Sequence, residues 1–458
     1  MRTQRRQFGF MPALCLKSKT FTERYQSCFI FLKGFSMKTI VIALFALTYV
    51  LMLSVPKYRH FFALAVAGIY VALGVVAPAE ALGVIDWNVI LMLAGTMGTV
   101  YLCIESQMPA AVADILVNKL KKVKLIFVAL ALFSGFVSAF IDNVATVLMV
   151  APIALAIAKK FHISPVQTVL TVAVSSNLQG AATLVGDTTS ILLGGYANMD
   201  FMDFFIMDGK PGMFWIVQAG ALATVPVLFY IFRNETRVVD RSTVTKITNI
   251  FPTYTLLATV ACLVAASFIP DKPAITNGVI CVIFCVITVA QEFWLNRDRN
   301  KIKDTVMNID FQTLMLLSGL FIIIRGITNV GLINDISNLF VKISGDNVFL
   351  VYTMLVWFSV VVSAFIDNIP YVATMLPVVT VISGTLGVDP TVLYFGLLAG
   401  ATLGGNITPV GASANIAAGG ILRKEGFEVS AKEFMSIGIP FTLCAVLTGY
   451  GLIWLIYG

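Results

Sequence analysis

The chain is a succession of apolar blocks, each about as long as a membrane crossing, separated by short polar stretches. A crossing helix takes about 20 residues. On that measure ten spans are predicted, near residues 39–56, 60–79, 87–106, 166–198, 213–232, 252–270, 274–294, 311–330, 391–421 and 436–457. Two further blocks, 125–158 and 348–386, carry a single charge each, Asp142 and Asp367. The first is short for two crossings and a turn, so it is read as a re-entrant hairpin whose tip is buried in protein. An exposed turn between two full spans is the alternative. The second block is long enough to pass twice. Either way the chain returns to the side it came from.

Only 12% of the 458 residues are charged and 58% are hydrophobic, against about 25% charged in an ordinary soluble domain. Soluble folds are thereby excluded. The seven cysteines fall mostly in apolar runs and read as small hydrophobes, Cys281 and Cys285 at helical spacing. His60 and His162 are read as interfacial polar residues in short loops. No metal-ligand spacing, catalytic triad or phosphate-binding loop occurs, so the chain does not read as an enzyme and no direct use of ATP is expected.

Residues 1–36 hold seven basic residues and one acid, Glu23, and read as a basic extension ahead of a start at Met37. From Met37 onward the predicted spans divide the basic residues nineteen to four between the two faces, the larger set running from Lys57 and Arg59 to Lys432. Arg325 is left inside a span, where snorkelling to the interface is the simpler role. Glu105, near a span end, is read the same way. The richer face is assigned to the cytoplasm, which puts both ends of the Met37 chain outside a cell membrane that the chain crosses many times.

Ser138-Ala-Phe-Ile-Asp142-Asn143 recurs letter for letter as Ser363-Ala-Phe-Ile-Asp367-Asn368. The repeat extends further. Ile85-Asp86-Trp87 matches Ile309-Asp310-Phe311, Pro152 matches Pro377, and Leu178–Gly186 matches Leu403–Gly411 at the same spacing. The fold class that follows is an all-α polytopic membrane protein of two inverted repeats, 37–235 and 236–458. Each has five transmembrane helices plus one re-entrant hairpin, and an odd span count turns the second unit over.

A carboxylate at membrane depth is costly and usually functional. The blocks 166–198 and 391–421 are long and rich in Gly, Asn, Thr and Ser, which reads as two helices unwound at mid-membrane, with Pro409 removing a backbone donor. Close packing is the plainer role for any one of these glycines. Asp142 and Asp367 can serve as cation ligands or proton carriers, since desolvation favours the neutral acid and a bound cation favours the carboxylate. Asn143 and Asn368 add neutral oxygens and amide donors. Asp187 has no counterpart, because Ala412 takes its place.

These segments resemble the ion transporter superfamily, in its citrate-transporter-like and arsenite-permease branch, related to sodium–proton antiporters, the P protein and divalent anion–sodium symporters. The residues that carry the resemblance are Ser138–Asn143, Ala182–Asp187, Ser363–Asn368 and Gly404–Asn415. It implies substrate and ion-binding roles at the tips for Asp142, Asn143, Asp367 and Asn368, with a sodium site among those four. It implies further roles near Asn177, Thr183, Asp187, Asn406, Thr408, Ser413 and Asn415. It also implies a homodimer whose transport domain moves like an elevator. The symporter branch has Ser-Asn-Thr at each tip, whereas this chain has Asp-Asn-Val and Asp-Asn-Ile. Many relatives read Gly-Asp-Pro-Pro-Asn after the first unwound helix, where this chain has Gly186-Asp187-Thr188-Thr189-Ser190. The expectation is a secondary active transporter of the inner membrane that exchanges sodium for protons. Its partners are lipid and a small ion, with no nucleic acid and no cofactor beyond sodium. The alternative is a permease for an anion or oxyacid such as arsenite or citrate. A channel-like or scaffolding membrane protein is a third reading, which the repeat disfavours.

Overall fold

The computed structural model describes residues 36–237, 245–296 and 299–458. Residues 1–35 of the basic extension, with Cys15 and Cys28, lie outside the described residues, as do Arg241 and Arg297 of the cytoplasmic set. The described chain is almost entirely helical. Helices of nine residues or more are α1 (Met37–Ser54), α2 (Arg59–Ala72), α3 (Trp87–Glu105), α4 (Met108–Lys119), α5 (Val123–Ser138), α6 (Asn143–Lys160), α7 (Pro165–Gly180), α8 (Thr188–Tyr196) and α9 (Met213–Ile231). They continue as α10 (Phe251–Ala266), α11 (Thr276–Asn296), α12 (Arg299–Met307), α13 (Phe311–Asn329), α14 (Leu332–Ser344), α15 (Val348–Ser363), α16 (Asn368–Leu386), α17 (Thr391–Gly404), α18 (Ser413–Lys424) and α19 (Ala431–Tyr457). Among the described residues, eight of these are long and apolar enough to cross a membrane.

Helix starts follow from local chemistry. An N-cap side chain accepts a bond from a backbone N–H that has no partner inside the helix. Ser36, Asp86, Asp310, Asn347 and Ser430 do this for α1, α3, α13, α15 and α19. The span expected over 60–79 is shorter than its apolar run, ending at Ala72. Gly74, at φ +72°, turns the chain away in the left-handed region that favours glycine, and a single helical turn follows over Pro78–Ala81. His60 is not in a loop; it lies in the first turn of α2 and is buried. His162 is exposed just after α6. Arg325 reaches Glu80 across 3.8 Å, both half-exposed, and Glu105 is exposed at the end of α3. The five described cysteines are free thiols.

Three helices have no counterpart in the predicted spans, α4, α12 and α14. α4 and α14 each lie between the third span of their half and the hairpin, and each follows a left-handed residue, Gln107 at φ 61° and Gly331 at φ 78°. At 12 and 13 residues they are too short to cross.

Element for element, α10, α11, α13, α14, α15, α16, α17, α18 and α19 repeat the order of α1, α2, α3, α4, α5, α6, α7, α8 and α9. The packing crosses between the two sets. α11 lies against α3 and α13 against α2, while α9 packs on α19. Helices α1, α2, α3, α10, α11 and α13 form one packing group. A second holds α5 to α9 with α15 to α19: α5 and α6 pack on α7, α15 and α16 on α17, α18 on α6, and α8 on α16.

The crossed pairs approach closely because small residues stand at the contact. A Cβ added to Gly95 would lie 2.4 Å from the Cys281 carbonyl carbon, and one added to Gly319 would lie 2.8 Å from that of Ala63. We expect Gly95→Val to lower thermal stability in detergent by about 1–3 kcal/mol, the usual cost of overpacking. Gly68→Ala, where an added Cβ meets nothing within 4 Å, should stay within about 0.5 kcal/mol of the parent. Equal melting of the two variants would refute the close contact.

Candidate functional site

Both long glycine-rich blocks are broken helices. α7 ends at Gly180, the chain runs irregularly to Asp187, and α8 begins at Thr188. α17 ends at Gly404, a 3-10 turn covers Gly405–Ile407, and α18 begins at Ser413. The residue before each second half has the same extended backbone, φ −145°, ψ 153° at Asp187 and φ −142°, ψ 146° at Ala412. The hairpin tips match too. Asp142 stands at φ −46°, ψ 141° and Asp367 at φ −50°, ψ 133°, each capping the helix that follows. Asp142 Oδ2 accepts from the N–H groups of Val144 and Ala145 at 3.0 and 3.2 Å. Asp367 Oδ1 accepts from Ile369 N–H at 3.2 Å.

Each tip is pinned to its broken helix. Thr183 Oγ1 donates to the Ala139 carbonyl, and Thr408 Oγ1 donates to the Ala364 carbonyl. Glycine is required at the contact. A Cβ on Gly186 would fall 2.7–3.0 Å from the carbonyl oxygens of Gly180, Ala139 and Ser138, and one on Gly411 would fall 2.6–2.9 Å from those of Gly405, Ala364 and Ser363. Three backbone oxygens therefore converge beside each tip. Asn143 Oδ1, which accepts from Ser138 Oγ at 2.8 Å, lies against Gly180 as well. Neutral oxygens with one carboxylate nearby suit a hard monovalent or divalent cation. Among the described residues no three His, Cys, Asp or Glu side chains converge as a metal-binding set.

The broken helices are also tied to each other. Asn177 Nδ2 donates to Asn406 Oδ1 at 2.8 Å and to Asn415 Oδ1 at 3.0 Å. Asn406 Nδ2 donates to the Val174 carbonyl, and Asn415 Nδ2 to the carbonyls of Gly405 and Thr408. All three amides are buried.

A cavity of about 350 Å³ opens beside this knot. Of the residues singled out from the sequence, Asp142, Asn143, Asn177, Asp187, Asn368 and Ser413 line it. Asp187 stands between the two tips, accepting from Thr189 Oγ1 at 2.8 Å and from Asn368 Nδ2 at 3.4 Å. Thr183, Asn406, Thr408 and Asn415 lie behind the wall, in the bonds that hold the breaks. Asp367 lies apart from the other three tip residues. It lines a smaller cavity of about 200 Å³ and is ion-paired to Arg59.

The lining residues that were not among the sequence candidates include Arg59, Asn308 and Asp310. Arg59 faces both cavities. Asp310 caps α13 through Thr313, whose N–H and Oγ1 it accepts at 3.1 and 2.6 Å. The signal for Asp310 was its place in the repeated Ile-Asp-aromatic triplet; Arg59 gave none beyond its charge.

A multi-pass chain, almost entirely helical in its described residues, with paired hairpin tips and paired broken helices around an acidic cavity, has the build of a membrane transporter. The chain belongs to the citrate transporter family CitMHS, whose model matches residues 49–400, and is a secondary transporter of that family. It is 28% identical over 439 residues to an uncharacterized transporter of Mycobacterium tuberculosis, covering 92% of this chain and 99% of that one. It is 24% identical over 398 residues to the human P protein, covering 70% of this chain and 48% of the relative. Its fold is similar to the crystal structure of the Alcanivorax borkumensis YdaH transporter, with a TM-score of 0.55 at 14% identity, covering 82% of this chain and 86% of that one.

Asn177→Ala should release the knot. It leaves buried amide oxygens on Asn406 and Asn415 without their donor, a loss of about 1–3 kcal/mol. Melting in detergent should fall accordingly, and amide exchange should rise in 181–187 and 405–412 together. Exchange confined to one break would disprove the coupling.

Proposed function

We propose that this chain exchanges a cation, sodium, for protons across the cell membrane by alternating access of the cavity between the tips. The observation that carries this reading is the charge of the wall. Asp142, Asp187 and Asp310 line the cavity, and the one basic group on it among the described residues, Arg59, is already committed to Asp367. Such a wall attracts cations and repels free anions. When a cation binds Asp142 and the neighbouring oxygens, the carboxylate stays ionised; when it leaves, the shielded carboxyl takes a proton. One site thus holds a cation or a proton, and exchange follows.

An inverted arrangement of the units 37–235 and 236–458, as read from the repeat, would open the site to either face in turn. The nineteen-to-four division of basic residues between the predicted loops supports a cytoplasmic richer face, with both ends of the Met37 chain outside. Movement of the tip-bearing group against the other within a homodimer is the elevator motion that the superfamily resemblance implies.

A second reading has one observation in its favour. The family model is described as a citrate transporter, and Arg59 on the wall could meet a carboxylate. A citrate or arsenite permease coupled to a cation or proton would then use the same cavity.

Proteoliposomes holding a pH dye separate the two. A sodium pulse outside should make the lumen alkaline, and Asp142→Asn and Asp187→Asn should each cut the rate at least tenfold while insertion is unchanged. Labelled citrate or arsenite uptake without sodium-driven alkalinisation would replace the first reading with the second.

A further inference from the structure

The two hairpin tips are copies in sequence and backbone, yet their charge environments differ. Around Asp142, within the described residues, no basic side chain forms an ion pair, and the carboxylates Asp187 and Asp310 share its cavity. Around Asp367 the reverse holds. Arg59 Nη1 bonds its Oδ2, and both side chains are largely shielded, 21% and 18% exposed. Ser413 Oγ donates to the same oxygen at 3.4 Å. Arg59 opens α2, which packs on α1 and α13, whereas Asp367 joins α15 to α16 in the other packing group.

We propose that Arg59 is a tethered cation that occupies the second tip, so that a mobile cation has one carboxylate site per chain, at Asp142, and not two. The inference rests on the cation-exchange reading of the same cavity. Its basis is the competition at Asp367. A sodium ion there must displace a guanidinium held by the chain itself, present at a high effective concentration. An arginine also stays charged at every working pH. It fills the place that a second sodium, or a proton, would take at an equivalent tip. Because the pair bridges the two packing groups, it lasts only while they keep this register. A movement of one against the other must break it.

The test is equilibrium binding of radioactive sodium to the full-length protein in detergent at pH 8. The parent should bind one sodium per chain, lost in Asp142→Asn. Arg59→Gln should bind two, and Arg59→Gln with Asp367→Asn should return to one. Arg59→Lys, which keeps the charge, should bind one. Arg59→Met, which keeps the apolar stem in place, is expected to match Arg59→Gln and serves if that variant does not fold. One sodium bound by both the parent and the charge-removing variants would overturn the tethered cation and leave the exchange reading standing. A second sodium that survives Asp367→Asn would also overturn it. No sodium on the parent but one on Arg59→Gln, dependent on Asp367, would support the tether and remove Asp142 as the site. No binding to either chain defeats both.

Discussion

Backbone groups released inside a bilayer have no water to turn to, and this constraint organises the whole second packing group. The two breaks free carbonyls and N–H groups that must be met by protein. Thr183 and Thr408 hold the tip carbonyls of Ala139 and Ala364. Ser190 Oγ donates to the Gly180 carbonyl at 3.2 Å, and Asn415 serves Gly405 and Thr408. The carbonyls of Ser138, Ala139 and Gly180 converge beside Gly186, and those of Ser363, Ala364 and Gly405 beside Gly411. The bonds that close the breaks thus end on oxygens gathered at the tips.

Within this frame duplication did not keep the halves chemically equal. Asp187 and Ala412 share one backbone conformation, so the backbone does not demand a carboxylate at either place. Asp187 accepts from Thr189 and Asn368, linking the first break to the second tip. Ala412 can do nothing comparable. The asymmetry is carried by a side chain on a shared scaffold, which is how a duplicated fold can acquire two unlike positions without altering its topology.

Much of this was legible in the sequence. Polar residues inside apolar runs stand out, and the letter-for-letter tips marked their own partners, so Asp142, Asp367 and both breaks are found from pattern alone. Arg59 was legible only as a charge near a span end, and it was counted with the loop charges of its face. Its role depends on which element lies opposite, and that comes from α2 packing beside α13 rather than from any neighbour in sequence. Asn177 reads in the sequence as an ion ligand; it lines the cavity, and its amide donates to Asn406 and Asn415, more than 200 positions away. Helices α4 and α14 escaped because a search for spans weighs length, and an amphipathic helix with Asp335 in its first turn and Lys342 in its last dilutes the apolar signal.

The crossed pairing of α2 with α13 and α3 with α11 bears on where such a chain came from. A half-length precursor would have left those helix faces bare, with Gly95 and Gly319 lacking the backbones they were shaped to meet. Such a precursor would have had to borrow a second copy to cover them, and one polypeptide now carries both sides of that contact.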